Sequence, residues 1–312
     1  IPGKTKRKYD KRGHMASHHN GQYRRSCVNS ARHLLNQIEL ETLPSEVLDL
    51  QKLIAVKHPN LADIADCLSK NPDVLGRLLS LVNQVVNRPQ DDLILDAKTA
   101  LHLMGLDELQ RLFISAYMVK NLSVANTDPD FITQALRAAL ATTELSYWVY
   151  GLSRTEAYLH GFMQDIGAIY MMRYDAGYNE RFFRQQLAFP MSKHRDEHLR
   201  YATDHCFVGA LMIEHWNLGQ DLCRTVLFHH EQNPGHLARF DEGLSKRIAL
   251  LQIANYLVFE TFAGKNVTKE LDDQFTVAMD YLELPDNALN AAISALEKWG
   301  TELDGNTQKA QS

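Results

Sequence analysis

At 312 residues, with 45% hydrophobic and 23% charged side chains, the chain can build a substantial core and has the composition of an ordinary folded protein. Its net charge of −5 is unevenly spread, +7 on residues 1–25 and −12 on the rest, and an acidic body repels phosphate and argues against a nucleic-acid partner. No run of about 18 apolar residues occurs and no charged-then-apolar signal pattern opens the chain, so the expectation is a cytoplasmic protein with no membrane partner.

The elements read as helices from end to end. Residues 1–25 hold eight Lys/Arg and no apolar period, which predicts a disordered basic leader. Pro44 opens a helix with Val47, Leu50 and Ile54 on one face. Asn60 caps the next, whose Leu61, Ile64, Ala65 and Leu68 recur at helical spacing. Asn71-Pro72-Asp73 combines a capping amide, a proline at the first helical position and an acid at the positive dipole end. Leu75, Leu78, Leu79, Val82 and Val86 make the stripe behind it. Asp96 and Asp107 are read as caps of two more helices, the first stopped by Gly105 and the second lined by Leu109, Leu112, Phe113 and Ala116.

A polar turn at Asn126-Thr127-Asp128-Pro129 marks the expected sub-boundary, followed by a helix to Gly151. Ser153-Arg154-Thr155-Glu156 has the pattern of a capping box. A polar helix over 178–187 is predicted next, then a loop around Pro190, a helix running from His205 to about Trp216, and one over 221–230. Helices over 244–263 and 287–299 complete the chain. Cys27, Cys67, Cys206 and Cys223 show no C-x-x-C spacing and read as reduced thiols.

Residues with chemical potential cluster in the second half: Gln164-Asp165 inside Gly161–Gly167, Asp204-His205, and His229-His230. Each has an ordinary explanation alone. Gln164-Asp165 could be a solvated turn, His205 a hydrogen-bonded core histidine, and the His pair a group at the negative end of a helix dipole. Their order and spacing carry more weight than any one of them.

In that order the chain resembles the HDOD family, the HD-related output domains of bacterial signalling proteins, over about residues 38–265. The resemblance rests on Leu43-Pro44, Asn71-Pro72-Asp73-Val74-Leu75, Arg77-Leu78-Leu79 with Asn83, and Leu103-Met104-Gly105-Leu106. It continues through Gly161-Phe162-Met163-Gln164-Asp165-Ile166-Gly167, Asp204 to Ala210, Trp216 and His229-His230. It implies an all-α fold in which a helical N-terminal lobe (26–128) packs on a degenerate HD-type lobe (129–265), followed by a C-terminal helical extension and tail (266–312).

It also implies a metal site with pieces missing. The paired histidine of the HD pattern is Gln164 here, and its closing aspartate is Asn255, placed inward by the stripe of Ile248, Leu251 and Val258. Neutral amides are poor ligands for a hard divalent cation. The expectation is therefore no catalytic residue, no cofactor and no bound metal, with Asp165, His205 and His229 the remaining candidates for a single ion. The function implied is non-catalytic regulation in bacterial signal transduction, through an unidentified signalling protein or small ligand. The alternative is a metal-dependent phosphohydrolase acting on a nucleotide or cyclic dinucleotide.

Overall fold

The structure is a computed structural model that describes residues 21–40, 43–86, 88–89, 91–124, 129–264 and 266–300. Among these the chain is helical throughout, with no strand. Residues 1–20 of the expected leader and 126–128 of the expected hinge lie outside the described residues. Residues 21–25 correct the leader boundary, because they form the start of α1 (Gly21–Leu35). Cys27, Ala31, Leu34 and Leu35 on α1 are buried, an apolar i, i+4, i+7 face that lies beyond the expected leader.

The N-terminal lobe follows the sequence reading closely. It contains α2 (Ser45–Ile54), α3 (Leu61–Ser69), α4 (Pro72–Val85), α5 (Ala97–Met104) and α6 (Leu106–Val124). Asn60, Asn71 and Asp96 each accept a hydrogen bond from a first-turn amide, of Ala62, Val74 and Thr99 respectively. Asp107 does not cap: α6 starts directly after Gly105, whose φ of 78° turns the chain, and Asp107 falls within the first turn. Asn83 clamps the segment that follows α4, donating to Ile94 O and accepting from Ile94 N.

The C-terminal lobe is built from α7 (Pro129–Ser146), α8 (Arg154–Met163), α9 (Ile166–Tyr174), a π-wound turn Asn179–Phe183 running into α10 (Arg184–Gln186), α11 (Pro190–Tyr201), α12 (His205–His215), α13 (Gln220–Phe228) and α14 (Glu242–Phe262). Ser153 caps α8 by accepting from Glu156 N, but the box is half made, since Glu156 Oε1 pairs with Arg247 at 3.0 Å instead of turning back. Pro190 does not sit in a loop. It is the first residue of α11, the position where a missing N–H costs nothing. α15 (Lys269–Leu282) and α16 (Asp286–Ala295) then pack against α14 and α7.

One apolar core crosses both lobes, from Cys27 and Leu50 through Leu112 and Phe113 to Ile166, Phe207 and Val226. α1 packs on α12 and α9, so it belongs with the C-terminal lobe despite its place in the sequence. Polar links cross the same seam: Gln51 donates to Trp216 O, and Arg154 donates to Val85 O at 2.7 Å.

The glycines of the Gly161–Gly167 run serve packing. A Cβ on Gly161 would lie 2.8 Å from Ala138 O, and Thr142 beside it donates to Ala157 O, holding α7 against α8. A Cβ on Gly167 would lie 1.9 Å from His205 O and 2.5 Å from Gly209 N. Backbone of α9 therefore touches backbone of α12, which brings Asp165 and His205 together.

Candidate functional site

Asp165 lies at the break between α8 and α9. It makes no cap bond to α9, and its carboxylate turns toward two imidazoles instead. Oδ1 is 3.5 Å from His205 Nε2 and 3.4 Å from His229 Nε2. His205 is the first residue of α12, set by the Asp204 cap, whose Oδ1 accepts from Cys206 N and Phe207 N. His229 and His230 follow the last turn of α13. The two ring nitrogens His205 Nε2 and His229 Nε2 are 3.3 Å apart, and His230 Nε2 is 3.2 Å from His205 Nε2.

The sequence had brought Gln164 and Asn255 into the same site, and the structure pairs them. Gln164 Nε2 donates to Asn255 Oδ1 at 2.9 Å, and Asn255 Nδ2 donates to Gln164 Oε1 at 3.1 Å. The inward stripe on α14 predicted this orientation of Asn255. What was not foreseen is that the two amides satisfy each other reciprocally, leaving neither with spare capacity along that edge.

Four further residues complete the site, and the sequence reading passed over all of them. Gln186 on α10 places its amide nitrogen 2.7 Å from His230 Nε2, 3.0 Å from His205 Nε2 and 3.3 Å from Asp165 Oδ1. Glu197 on α11 is fully buried and accepts from His205 N and His205 Nδ1, both at 2.7 Å, and from Tyr178 OH at 2.9 Å. His194 and His198, on the same face of α11, address Asp204 Oδ2 at 3.4 and 3.0 Å. The signal was present as His194, Glu197 and His198 at i, i+3, i+4, hidden in a helix whose other residues are strongly polar.

The site's electrostatics draw positive charge. Burial alone would lower the pKa of His205, yet the Cys206 sulfur and the Glu197 carboxylate raise it well above the ordinary range. His229 is likewise raised to about 9 against its burial, by Cys206 and Asp165. Burial opposes ionisation of Asp165 and Cys206, but the surrounding imidazoles lower both. His230 goes the other way: burial and the neighbouring His229, His194 and His205 keep it neutral.

The cavity at this point is small, about 20 Å³, and is walled by Asp165, Gln186, His229, His230 and Asn255. Leu187, Pro190, Leu271 and Gln274 also line it. The last two come from α15, which is anchored by Glu270 Oε1 accepting from Ser192 N at 2.7 Å and from Met191 N at the start of α11. Room for one water or one ion remains.

The HDOD domain family matches residues 40–232, more than half of the chain. The chain belongs to the HDOD family. Among solved structures, this HDOD protein is similar to an HDOD domain protein of unknown function from Geobacter sulfurreducens, with a TM-score of 0.63, 18% identity and coverage of 92% of this chain and 98% of that one. It is also similar to a Shewanella amazonensis SB2B protein provisionally named a phosphohydrolase, with a TM-score of 0.54, 18% identity and 90% and 93% coverage. A Marinobacter aquaeolei VT8 protein provisionally named a signal transduction protein gives a TM-score of 0.61 at 14% identity, covering 91% of this chain and 66% of that one. At these identities the likeness is one of fold. A curated relative, an uncharacterised protein of Treponema pallidum (strain Nichols), is 25% identical over 203 residues, and the match spans 62% of this chain but only 38% of that longer protein. Among the described residues no helix is long and apolar enough to cross a membrane.

Proposed function

We propose that this HDOD protein is a non-catalytic cytoplasmic regulator in bacterial signal transduction, acting by binding a signalling protein or a small ligand. The observation that carries the reading is the reciprocal Gln164–Asn255 amide pair. It stands where a catalytic binuclear centre of the HD type needs an imidazole and a second carboxylate, and its four polar atoms are engaged with one another. A second support is access. The cavity, about 20 Å³ and lined in part by Leu271 and Gln274 of α15, is small against a phosphodiester and its sugar.

The rival reading, a metal-dependent phosphohydrolase, is favoured by one observation, the survival of Asp165, His205 and His229 in mutual contact. The double substitution Gln164→His with Asn255→Asp separates the two. It restores an imidazole and an anionic oxygen beside Asp165, so calorimetric titration with Mn²⁺ should gain a binding event that the wild-type protein lacks. Turnover need not follow, since it also depends on the groups that orient such ligands. An unchanged titration would mean that the amide pair is not what disabled the site, and would remove the main support for the regulatory reading.

A further inference from the structure

The turn between α7 and α8 carries three large aromatic residues in four positions, Tyr147, Trp148 and Tyr150, and the fold leaves them 74, 39 and 93% exposed. Single exposed apolar side chains are ordinary on a protein surface, but a cluster of this kind is not. The core does not force it. Ser146 and Val149 in the same segment are buried, and Gly151, at a φ of 89°, turns the chain directly after it. The turn is thus held from within while its rings stay in solvent. The Tyr147 and Trp148 rings meet edge to face, with centroids 5.4 Å apart and planes at 79°.

Beside these rings runs a groove of about 700 Å³ at the seam of the two lobes. Val85 and Val86 at the end of α4 and Met104 at the end of α5 line it from the N-terminal lobe. Tyr147, Trp148 and Ala291 line it from the other, and Ala291 belongs to α16, outside the family-matched residues 40–232. The polar lining is short of free donors. Arg154 spends Nε on Val85 O at 2.7 Å and a terminal nitrogen on Glu144 Oε1 at 2.6 Å, and the Ser153 hydroxyl donates to Glu108 Oε2 at 3.2 Å. Arg111, which does not line the groove, donates to the other oxygen of Glu108 at 2.8 Å. Glu144 is half-buried and keeps acceptor capacity, since a carboxylate offers about four lone-pair sites and Arg154 engages one oxygen. Whatever fills the groove must therefore bring N–H donors or positive charge. The wider field has the same sign, because residues 26–312 sum to −12 and draw cationic partners.

We infer that the groove receives a basic amphipathic helix of a partner protein, with apolar residues on Met104, Val86 and Trp148 and a Lys or Arg on Glu144. This rests on the regulatory reading and names the surface through which it acts. The volume alone would also suit a small ligand. Tyr147 and Tyr150, however, stand so far into solvent that a small ligand would leave them uncovered, and Tyr, Trp, Met and Arg are the residues that protein interfaces concentrate. A helix laid in an apolar groove is an established mode of recognition, and a turn already fixed by Val149 and Gly151 loses little freedom on binding.

The test is fluorescence anisotropy on the full chain with three labelled peptides of about 14 residues: leucine and lysine at helical spacing, leucine and glutamate in the same pattern, and the first composition in an order with no apolar face. The first should bind at least about 10-fold tighter than either control. Tyr147→Ala with Trp148→Ala should weaken that binding by about 10-fold or more and melt like wild type, which separates lost binding from lost fold. Glu144→Gln, which keeps an acceptor for Arg154, should weaken it and flatten its salt dependence. Leu199→Ala, exposed on α11 and outside the groove, should change nothing. No binding of the first peptide, equal binding of all three, or full affinity in both groove variants would each overturn the assignment. So would a wild-type dimer in sedimentation that the aromatic double variant dissociates, which would give the groove to a second copy of the chain. Any of these without phosphodiesterase turnover would leave the regulatory reading standing through a small ligand, whereas turnover would refute that reading whatever the peptides do.

Discussion

Gly167→Ala is expected to cost about 3–5 kcal/mol of stability, enough to leave the protein partly unfolded at moderate temperature. The added Cβ would lie 1.9 Å from the carbonyl oxygen of His205 and 2.5 Å from the amide nitrogen of Gly209. Both are backbone atoms of α12, so no rotamer change can clear them, and α9 must move away from α12. That movement opens the core around Ile166 and Val208 and separates Asp165 from His205. Gly76 is the control. It lies on the exposed face of α4 with nothing within 4 Å of its ideal Cβ, so Gly76→Ala should stabilise by about 0.5–1 kcal/mol through helix propensity. Urea melts of the two variants check both signs. Equal, small effects would mean that the α9–α12 contact is not the tight backbone seam described.

Glu197→Leu should be comparably severe, about 3–5 kcal/mol, although the substitution places an apolar residue in a buried position. The carboxylate is fully buried and accepts from Tyr178 OH, His205 N and His205 Nδ1. Leucine strands all three donors, and each buried unsatisfied donor costs about 1–3 kcal/mol. Glu197→Gln should lose less, because its amide oxygen can still accept while its amide nitrogen opposes one N–H. The order wild type, Gln, Leu in thermal melts is the expected result. A leucine variant as stable as wild type would show that the His205 side chain is held by packing alone.

The fold was legible because local signals agree with the packing. Asn60, Asn71, Asp96 and Ser153 announce helix starts, and the stripes behind them are the buried faces. α11 and α1 were missed for opposite reasons. α11 is polar on nearly all sides and yet buries His194, Glu197 and His198, because they serve a polar site, so hydrophobic periodicity is blind to it. α1 lies at the edge of a basic run, and its charge masked an apolar face of four residues. The site was legible as far as residue identity and spacing reach, namely Gln164, Asp165, His205, the His pair and Asn255. Gln186 carries no motif, and Glu197 shows only its spacing to His194 and His198 on one face of α11. They matter because α10 and α11 fold back over the ring nitrogens, a long-range fact that short spacing does not encode.

The most direct test of the central claim is turnover by the wild-type protein saturated with Mn²⁺ or Zn²⁺ and offered a cyclic dinucleotide, with linear product followed by chromatography. With the Gln164–Asn255 pair in place of two ligands and a cavity of only about 20 Å³, no product above the uncatalysed background is predicted. Turnover that disappears in Asp165→Ala would contradict the account and make this HDOD protein a phosphodiesterase.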